Sequence, residues 1–219
     1  MRSALLSEFV GTAGLLAGVV GSGIMAEQLS PGDVGLQLLQ NAFATAGVLV
    51  ALILALQKAS GAHFNPAVTL AARLAGELPT RTALLYVVAQ LAGAVTGVVL
   101  ANLMFDLPAV ELSTKDRSGV HLLLAEFVAT VGLVGVIHGV VRSGRGHLAA
   151  YAVGAYIAGA YYFTASTSFA NPAVTVARTL SDTFAGIHPA AVLPFVAAQV
   201  AGALVAVPLL RSIYPDPEA

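Results

Sequence analysis

The most constraining feature of this chain is the pentapeptide Asn-Pro-Ala-Val-Thr, which occurs twice, at Asn65–Thr69 and at Asn171–Thr175. Asn is a favoured helix N-cap and Pro a favoured first helical residue, so each copy predicts the start of a helix. Two helices that begin near the centre of a membrane would direct two positive helix ends towards one point. This arrangement favours a pore for uncharged molecules.

The composition places the chain in a membrane. Of 219 residues, 58% are hydrophobic and only 10% charged, and the mean hydropathy is +0.86. A soluble domain carries about a quarter charged residues. The length suffices for about six membrane helices of roughly 20 residues, with little left for another domain. The net charge of −1 gives no reason to expect a nucleic-acid partner, and the absence of Cys excludes disulfides and thiolate metal sites.

Six apolar runs predict six membrane spans, and two shorter segments predict half-helices. Each short segment begins with a pentapeptide, is too polar there to cross the membrane, and continues as a brief apolar helix, at 67–74 and 173–180. Pieces of this length are typical of re-entrant helices. The predicted spans are 3–27, 36–57, 81–105, 119–141, 148–166 and 188–210.

The two halves of the chain resemble each other, which predicts a repeat of 1–112 and 113–219. Glu8 matches Glu126, and the tripeptide Ala89-Gln90-Leu91 matches Ala198-Gln199-Val200. Three spans per unit is an odd number, so the second unit must be inverted in the membrane relative to the first. Inverted repeats with interrupted helices place a site near the midplane, where the repeats meet.

The distribution of Lys and Arg predicts the orientation, with both termini in the cytoplasm. Cytoplasmic loops carry an excess of positive residues. In this orientation seven positive residues lie on the cytoplasmic side and three on the other: Arg2, Lys58, Arg73, Arg81, Arg142, Arg145 and Arg211 against Lys115, Arg117 and Arg178.

With both pentapeptides, the nonapeptide 61–69 (GAHFNPAVT) and the paired acids, the chain resembles the aquaporin and aquaglyceroporin (major intrinsic protein) family over essentially its whole length. The resemblance implies an all-α membrane protein with six transmembrane helices and two re-entrant half-helices. It also implies a channel rather than an enzyme, a homotetramer, no cofactor and no metal. Short loops suggest a bacterial inner membrane. Asn65 and Asn171 would offer side-chain N–H donors to a solute at the pore centre.

Glu8 and Glu126 are acids within predicted spans, where an unsatisfied carboxylate costs several kcal/mol. Their matched positions favour a supporting role, in which each accepts hydrogen bonds from the loop that precedes a half-helix. The alternative is a proton relay. His63, next to the first motif, is interpreted as a pore-lining donor, with a packed loop histidine as the alternative.

The chain departs from the family at the narrowest part of the pore. Members normally carry Arg directly after the second Asn-Pro-Ala, and here that position is Val174. Counting from the motifs without gaps predicts Thr45, Gly159 and Ser168 as the other constriction residues. A one-residue gap would replace Ser168 with Phe169. The predicted ring has small side chains, no aromatic residue and no charge.

A ring without Arg predicts a wide pore. With Val in this position, the chain is similar to family members that are linked to bacterial arsenic resistance and also carry Val instead of Arg. The expected solutes are glycerol-like polyols and metalloid hydroxides such as arsenous acid, and also methylarsenicals and water. The alternatives are a water-selective channel, an ion-coupled secondary transporter with the same kind of inverted repeat, and a membrane scaffold with a blocked pore.

Overall fold

The structure is a computed structural model that describes residues 1–215, and these residues form eight α-helices, three 3-10 turns and the segments that link them. The predicted all-α class is confirmed. The last residues of the predicted second repeat, 216–219, and with them the C-terminus, lie outside the described residues. The helices are α1 Arg2–Leu29, α2 Val34–Ser60, α3 Pro66–Ala75, α4 Thr80–Met104, α5 Val120–Arg142, α6 Ala149–Phe163, α7 Pro172–Ala177 and α8 Val192–Ile213.

Five helices of the described chain, α1, α2, α4, α5 and α8, are long and apolar enough to cross a membrane. The remaining predicted span corresponds to α6, which has 15 residues and follows a 3-10 turn at Gly146–Leu148. At about 1.5 Å per residue it is shorter than the roughly 30 Å of a bilayer core. Polypeptide outside the helix therefore completes this crossing.

The two pentapeptides begin the short helices α3 and α7, as their sequence predicts. The Asn65 side chain accepts a hydrogen bond from the amide of Ala67 (2.8 Å). Asn171 accepts from Ala173 (3.0 Å) and Val174 (3.3 Å). Pro stands in the first turn of both helices, where its missing N–H has no cost. α7 continues as a 3-10 turn, Arg178–Leu180.

Glycines allow two pairs of long helices to approach backbone to backbone. A Cβ on Gly93 would lie 2.3 Å from the carbonyl oxygen of Phe9, and a Cβ on Gly97 would lie 2.2 Å from that of Ala13. In the second half, a Cβ on Gly202 of α8 would lie 2.8 Å from a backbone carbonyl oxygen of α5. Such small-residue faces are typical of packing between membrane helices. They join α1 to α4 and α5 to α8.

The short helices leave the centre in opposite directions. The α3 end meets the ends of α5 and α8, since Arg211 donates to Leu74 (2.9 Å) and Glu77 lies 3.8 Å from His138. We call this the α3 side. The α7 end instead meets the end of α4, where Asn102 donates to the carbonyl oxygen of Leu180 (3.0 Å). We call this the α7 side; it also holds the segment 105–119, which contains the predicted boundary between the repeats.

Candidate functional site

The two motif asparagines meet in the interior of the molecule. The Asn65 amide donates to the carbonyl oxygen of Ala170 (2.7 Å), and the Asn171 amide donates to that of Phe64 (2.9 Å). Each half-helix start is therefore tied to the loop in front of the other. An amide group carries two N–H donors, so each Asn keeps a second donor. Both side chains line one central cavity.

The loops before the two asparagines have the same unusual backbone. Ala62 and Phe64 have positive φ angles of 52° and 48°, and their counterparts Ser168 and Ala170 have 51° and 45°. A residue other than Gly in this region costs roughly 1–3 kcal/mol, and such strain collects at functional sites. The chain therefore needs strong local contacts to keep both loops in this conformation.

Glu8 supplies these contacts in the first half of the molecule. One carboxylate oxygen accepts from the Ser60 hydroxyl (2.6 Å) and the His63 amide (3.0 Å). The other accepts from the Phe64 amide (2.8 Å) and the Gln90 side chain (2.7 Å). The side chain is fully buried. Four donors thus satisfy a charge that the membrane interior would otherwise disfavour.

Glu126 does the same in the second half. It accepts from the amides of Phe169 and Ala170, both at 2.9 Å, and from the Gln199 side chain at 2.6 Å. Gln199 also donates to the Thr175 hydroxyl at 2.8 Å. In the first half, Gln90 of α4 likewise donates to the hydroxyl of Thr69 in α3 (2.9 Å).

Sequence reasoning assigned no role to these glutamines and threonines. The signal was present, because Gln90 and Gln199 stand in the tripeptides that relate the two halves, and Thr69 and Thr175 end the pentapeptides. A polar residue that recurs at matched positions of apolar spans indicates a shared buried contact.

A cavity of about 100 Å³ lies between the helices around the two asparagines. By the space that one buried water needs, it holds several water molecules. Most of its wall is apolar, from α1, α2, α5 and α6, and polar groups are few. The sequence-predicted residues that line it are His63, Asn65 and Asn171 near the centre, and Thr45, Ser168 and Val174 of the predicted constriction.

Gly159 does not line this cavity, which corrects the predicted constriction. It lies on an exposed stripe of α6 with Tyr151, Ala155 and Tyr162. The cavity wall is formed instead by Val153, Ile157 and Tyr161, each one turn from the next. Counting back from Asn171 without gaps ignores the length of the α6–α7 loop. A shift of two residues turns a helix by about 200°, which moves the counted position to the opposite face.

The cavity wall also contains aromatic residues and a charge, which the predicted ring lacks. Phe169 and Tyr161 line the cavity together with Ser168, and so does Arg178. The Tyr161 hydroxyl lies 3.1 Å from the Thr45 hydroxyl. The Arg178 guanidinium carbon lies 3.6 Å from the centre of the Phe169 ring. Sequence reasoning missed Arg178, although a residue four positions after Val174 lies on the same helix face.

Arg117 and Lys115 bring further positive charge to the α7 side. The Arg117 guanidinium carbon lies 4.9 Å from the Phe169 ring centre, and Lys115 donates to the carbonyl oxygen of Phe184 (2.7 Å). Burial, together with the neighbouring Arg117 and Arg178, lowers the pKa of Lys115 to about 8. No feature of the sequence showed that the segment 105–119 folds back onto residues 179–188.

The hydrogen bonds around His63 favour one ring nitrogen as the site of its proton. Gln90 uses both of its N–H donors, on Glu8 and on Thr69. The Thr69 hydroxyl is left to donate to Nδ1 of His63, 3.1 Å away. A neutral His63 therefore carries its proton on Nε2 and presents a donor in the cavity wall.

Comparison with known proteins agrees with this arrangement. The family model described as Major intrinsic protein matches residues 1–158. The aquaglyceroporin AqpS of Rhizobium meliloti (strain 1021) is 49% identical over 206 residues, which cover 94% of this chain and 88% of that protein. Aquaporin NIP1-4 of Oryza sativa subsp. japonica is 32% identical over 203 residues, covering 91% of this chain and 72% of that protein.

A solved structure has the same fold. The X-ray structure of the aquaglyceroporin from Plasmodium falciparum aligns with a TM-score of 0.73 at 22% identity, and the alignment covers 98% of this chain and 97% of that one. The resemblance drawn from the two pentapeptides is thus confirmed, as are the aquaporin-like fold and a channel rather than an enzyme. The chain belongs to the major intrinsic protein family of membrane channels.

Proposed function

We propose that this protein is a passive channel for small uncharged solutes, which include glycerol-like polyols, metalloid hydroxides such as arsenous acid, methylarsenicals and water. One observation carries the proposal: Asn65 and Asn171 share a cavity and each keeps a spare N–H donor. A hydroxylated solute can exchange its water hydrogen bonds for these donors. The apolar remainder of the wall gives an ion no comparable replacement for the water molecules of its hydration shell.

Val174 supports the breadth of this solute range. Its side chain is short, uncharged and in the cavity wall. Arsenous acid carries three hydroxyl groups on one central atom and so offers hydrogen bonds much as a polyol does. The name of the rhizobial relative, aquaglyceroporin, is in keeping with glycerol-sized solutes.

Glu8 and Glu126 support the pore loops in this proposal, and they do not relay protons. Each carboxylate is occupied by amide donors of its own half, Glu8 also by the Ser60 hydroxyl, and the two networks are separate. With the loops so held, carbonyl oxygens and spare amide donors face the solute path. His63 adds one donor from its Nε2 atom on the α3 side.

Solute flux into liposomes tests the function. Purified protein is reconstituted, and stopped-flow traces are recorded for water, glycerol, urea, arsenous acid and a methylarsenical. We expect flux down a solute gradient without any ion gradient. Flux of water alone would favour a water-selective channel. Saturation at low solute concentration, or dependence on pH or sodium, would favour an ion-coupled transporter. Flux of none of them would indicate a blocked scaffold.

Val174→Arg tests the size limit. A guanidinium in the cavity wall would narrow the path, so we expect glycerol flux to fall by about tenfold or more, and water flux to fall less. Val176→Arg, about half a turn along and partly exposed, is the matched control. Equal glycerol fluxes in Val174→Arg and the unchanged protein would show that Val174 does not set the limit.

The location and assembly follow the same proposal. The chain is an integral membrane protein with apolar helices, and we place it in a bacterial inner membrane with the α3 side in the cytoplasm. That orientation puts seven positive side chains inside and three outside. We expect a homotetramer in which each protomer has its own pore, and light scattering on the detergent-solubilised protein measures the stoichiometry.

A further inference from the structure

The α7 end of the cavity carries positive charge from two separate elements. Arg178, in the 3-10 turn after α7, is 2% exposed and lines the cavity. Arg117 comes from the segment between α4 and α5 and lies over the same aromatic ring, that of Phe169. Phe169 itself lines the cavity and is held by Glu126 through its amide.

The contacts of these two guanidinium groups fix their positions but do not neutralise them. Arg178 donates through Nε to the carbonyl oxygen of Ala185, and Arg117 donates through Nε to that of Gly186 (2.9 Å). Arg117 also lies within 3.4 Å of the Ser166 carbonyl oxygen. Across residues 1–215, neither guanidinium group has a carboxylate within 4 Å. Carbonyl dipoles and an aromatic face stabilise a cation and leave its net charge in place.

Other charged groups near this cluster offset its charge only in part. Lys115 adds a third cation, with its Nζ atom 4.5 Å from the Phe184 ring centre. Glu27 and Asp182 attract Lys115, and the buried Glu126 attracts both guanidinium groups. Within the described residues none of these carboxylates lies within 4 Å of a cation of the cluster; each accepts a hydrogen bond from a backbone amide.

A buried charge without a direct ion-pair partner is costly, so a protein keeps one where function uses it. A second observation at the same end of the cavity points to a ligand. The Ser168 hydroxyl is 4% exposed, lines the cavity and has no hydrogen-bond partner among the described residues. Its hydrogen-bonding capacity is unused by the described residues. Positive charge and a free hydroxyl therefore border the same part of the path.

We propose that Arg178, assisted by Arg117, forms the electrostatic barrier that keeps cations and protons out of the pore, which Val174 cannot do. This inference rests on the proposed channel function and deepens it. A guanidinium in the wall of a narrow, largely apolar path repels a cation strongly, because the effective dielectric constant there is low. A neutral polyol or metalloid hydroxide meets no such repulsion. Arg178 and Arg117 stand at positions other than that of Val174, where family members normally carry Arg. Their charge nevertheless acts on the same part of the pore.

Proton leak and glycerol flux in the same liposomes test the inference. The vesicles contain a pH-sensitive dye, and a potassium gradient with valinomycin drives protons inward. We expect Arg178→Gln to raise the leak at least about tenfold relative to glycerol flux, and Arg117→Gln to raise it less. Arg178→Lys keeps the charge and should keep the leak low. Arg145→Gln, an exposed arginine on the α3 side, is the matched control and should behave as the unchanged protein.

The double variant Arg178→Gln with Val174→Arg returns a guanidinium to the wall, and it should lower the leak again. If Arg178→Gln does not insert into the vesicles, Arg117→Gln decides. The inference is overturned if the inserted variants conduct glycerol and leak no more protons than the unchanged protein. An unchanged protein that conducts no solute would instead refute the channel function itself, so the two failures are distinguishable.

Discussion

At the scale of single residues, the pore depends on two carboxylates that act through backbone amides. Glu8 and Glu126 touch no solute path directly; they hold left-handed loop residues such as Phe64 and Ala170 in place. A neutral amide in their position would offer one acceptor oxygen and turn an NH2 group towards donors. The loop would then lose at least one charge-assisted hydrogen bond and gain a repulsive contact.

Glu126→Gln should therefore destabilise the protein by roughly 2–3 kcal/mol and lower solute flux. Thermal unfolding in detergent, followed by circular dichroism, measures the first effect, and stopped-flow glycerol uptake the second. Glu111→Gln removes an exposed carboxylate on the α7 side and should change neither. Equal unfolding temperatures and fluxes for Glu126→Gln and the unchanged protein would contradict a supporting role.

At the scale of helices and loops, the sequence predicted what local chemistry determines. The caps at Asn65 and Asn171 depend on adjacent residues, so the half-helices were predicted correctly. Which face of α6 lies against the cavity depends on the length of the irregular loop 164–171. No local sequence pattern shows how many residues that loop contains. The count from Asn171 therefore reached Gly159 on the wrong face. The position of Arg117 depends on a long-range fold-back of the segment 105–119, which its composition does not indicate.

The face of α6 that lines the cavity gives a prediction about solute flux. Ile157→Phe should reduce glycerol flux at least roughly twofold, because a larger ring would occupy a cavity of only about 100 Å³. Gly159→Phe should leave the flux as it is, since a Cβ there would meet nothing within 4 Å and the position lies on the exposed stripe. Stopped-flow uptake by matched amounts of both variants measures the difference. The opposite order of effects would restore Gly159 to the constriction.

The close contact between α1 and α4 gives another. Gly97→Ala should lower the free energy of unfolding by about 1–3 kcal/mol, because the new Cβ would overlap the backbone carbonyl oxygen of Ala13. Gly47→Ala is the matched control: its Cβ would meet nothing within 4 Å, and Ala favours a helix more than Gly does. Unfolding in detergent compares the two variants. A Gly97→Ala protein as stable as Gly47→Ala would show that α1 and α4 can separate without loss.

At the scale of the whole molecule, positive charge is distributed unequally between the two sides. The α3 side has seven Lys and Arg residues spread over loops and helix ends. The α7 side has only three, and the fold brings all of them, Lys115, Arg117 and Arg178, around Phe184 and Phe169 at the end of the cavity. The fold therefore gathers the three cations of this side at the end of the cavity, while the cations of the α3 side are dispersed.

This crowding predicts a pH dependence of stability. Lys115 has a pKa of about 8 in the folded protein, against an ordinary 10.5 in the unfolded chain. Below pH 8 both states hold the proton, and the folded state bears the cost of burying this charge, to which repulsion from Arg117 and Arg178 adds. Between pH 8 and 10.5 only the unfolded chain still holds it, so the free energy of unfolding should rise as pH increases. Circular dichroism of the detergent-solubilised protein measures this rise, and Lys115→Met should reduce it, whereas Lys58→Met, on the α3 side, should not. If the free energy of unfolding rises with pH as steeply in Lys115→Met as in the unchanged protein, the rise originates from other groups.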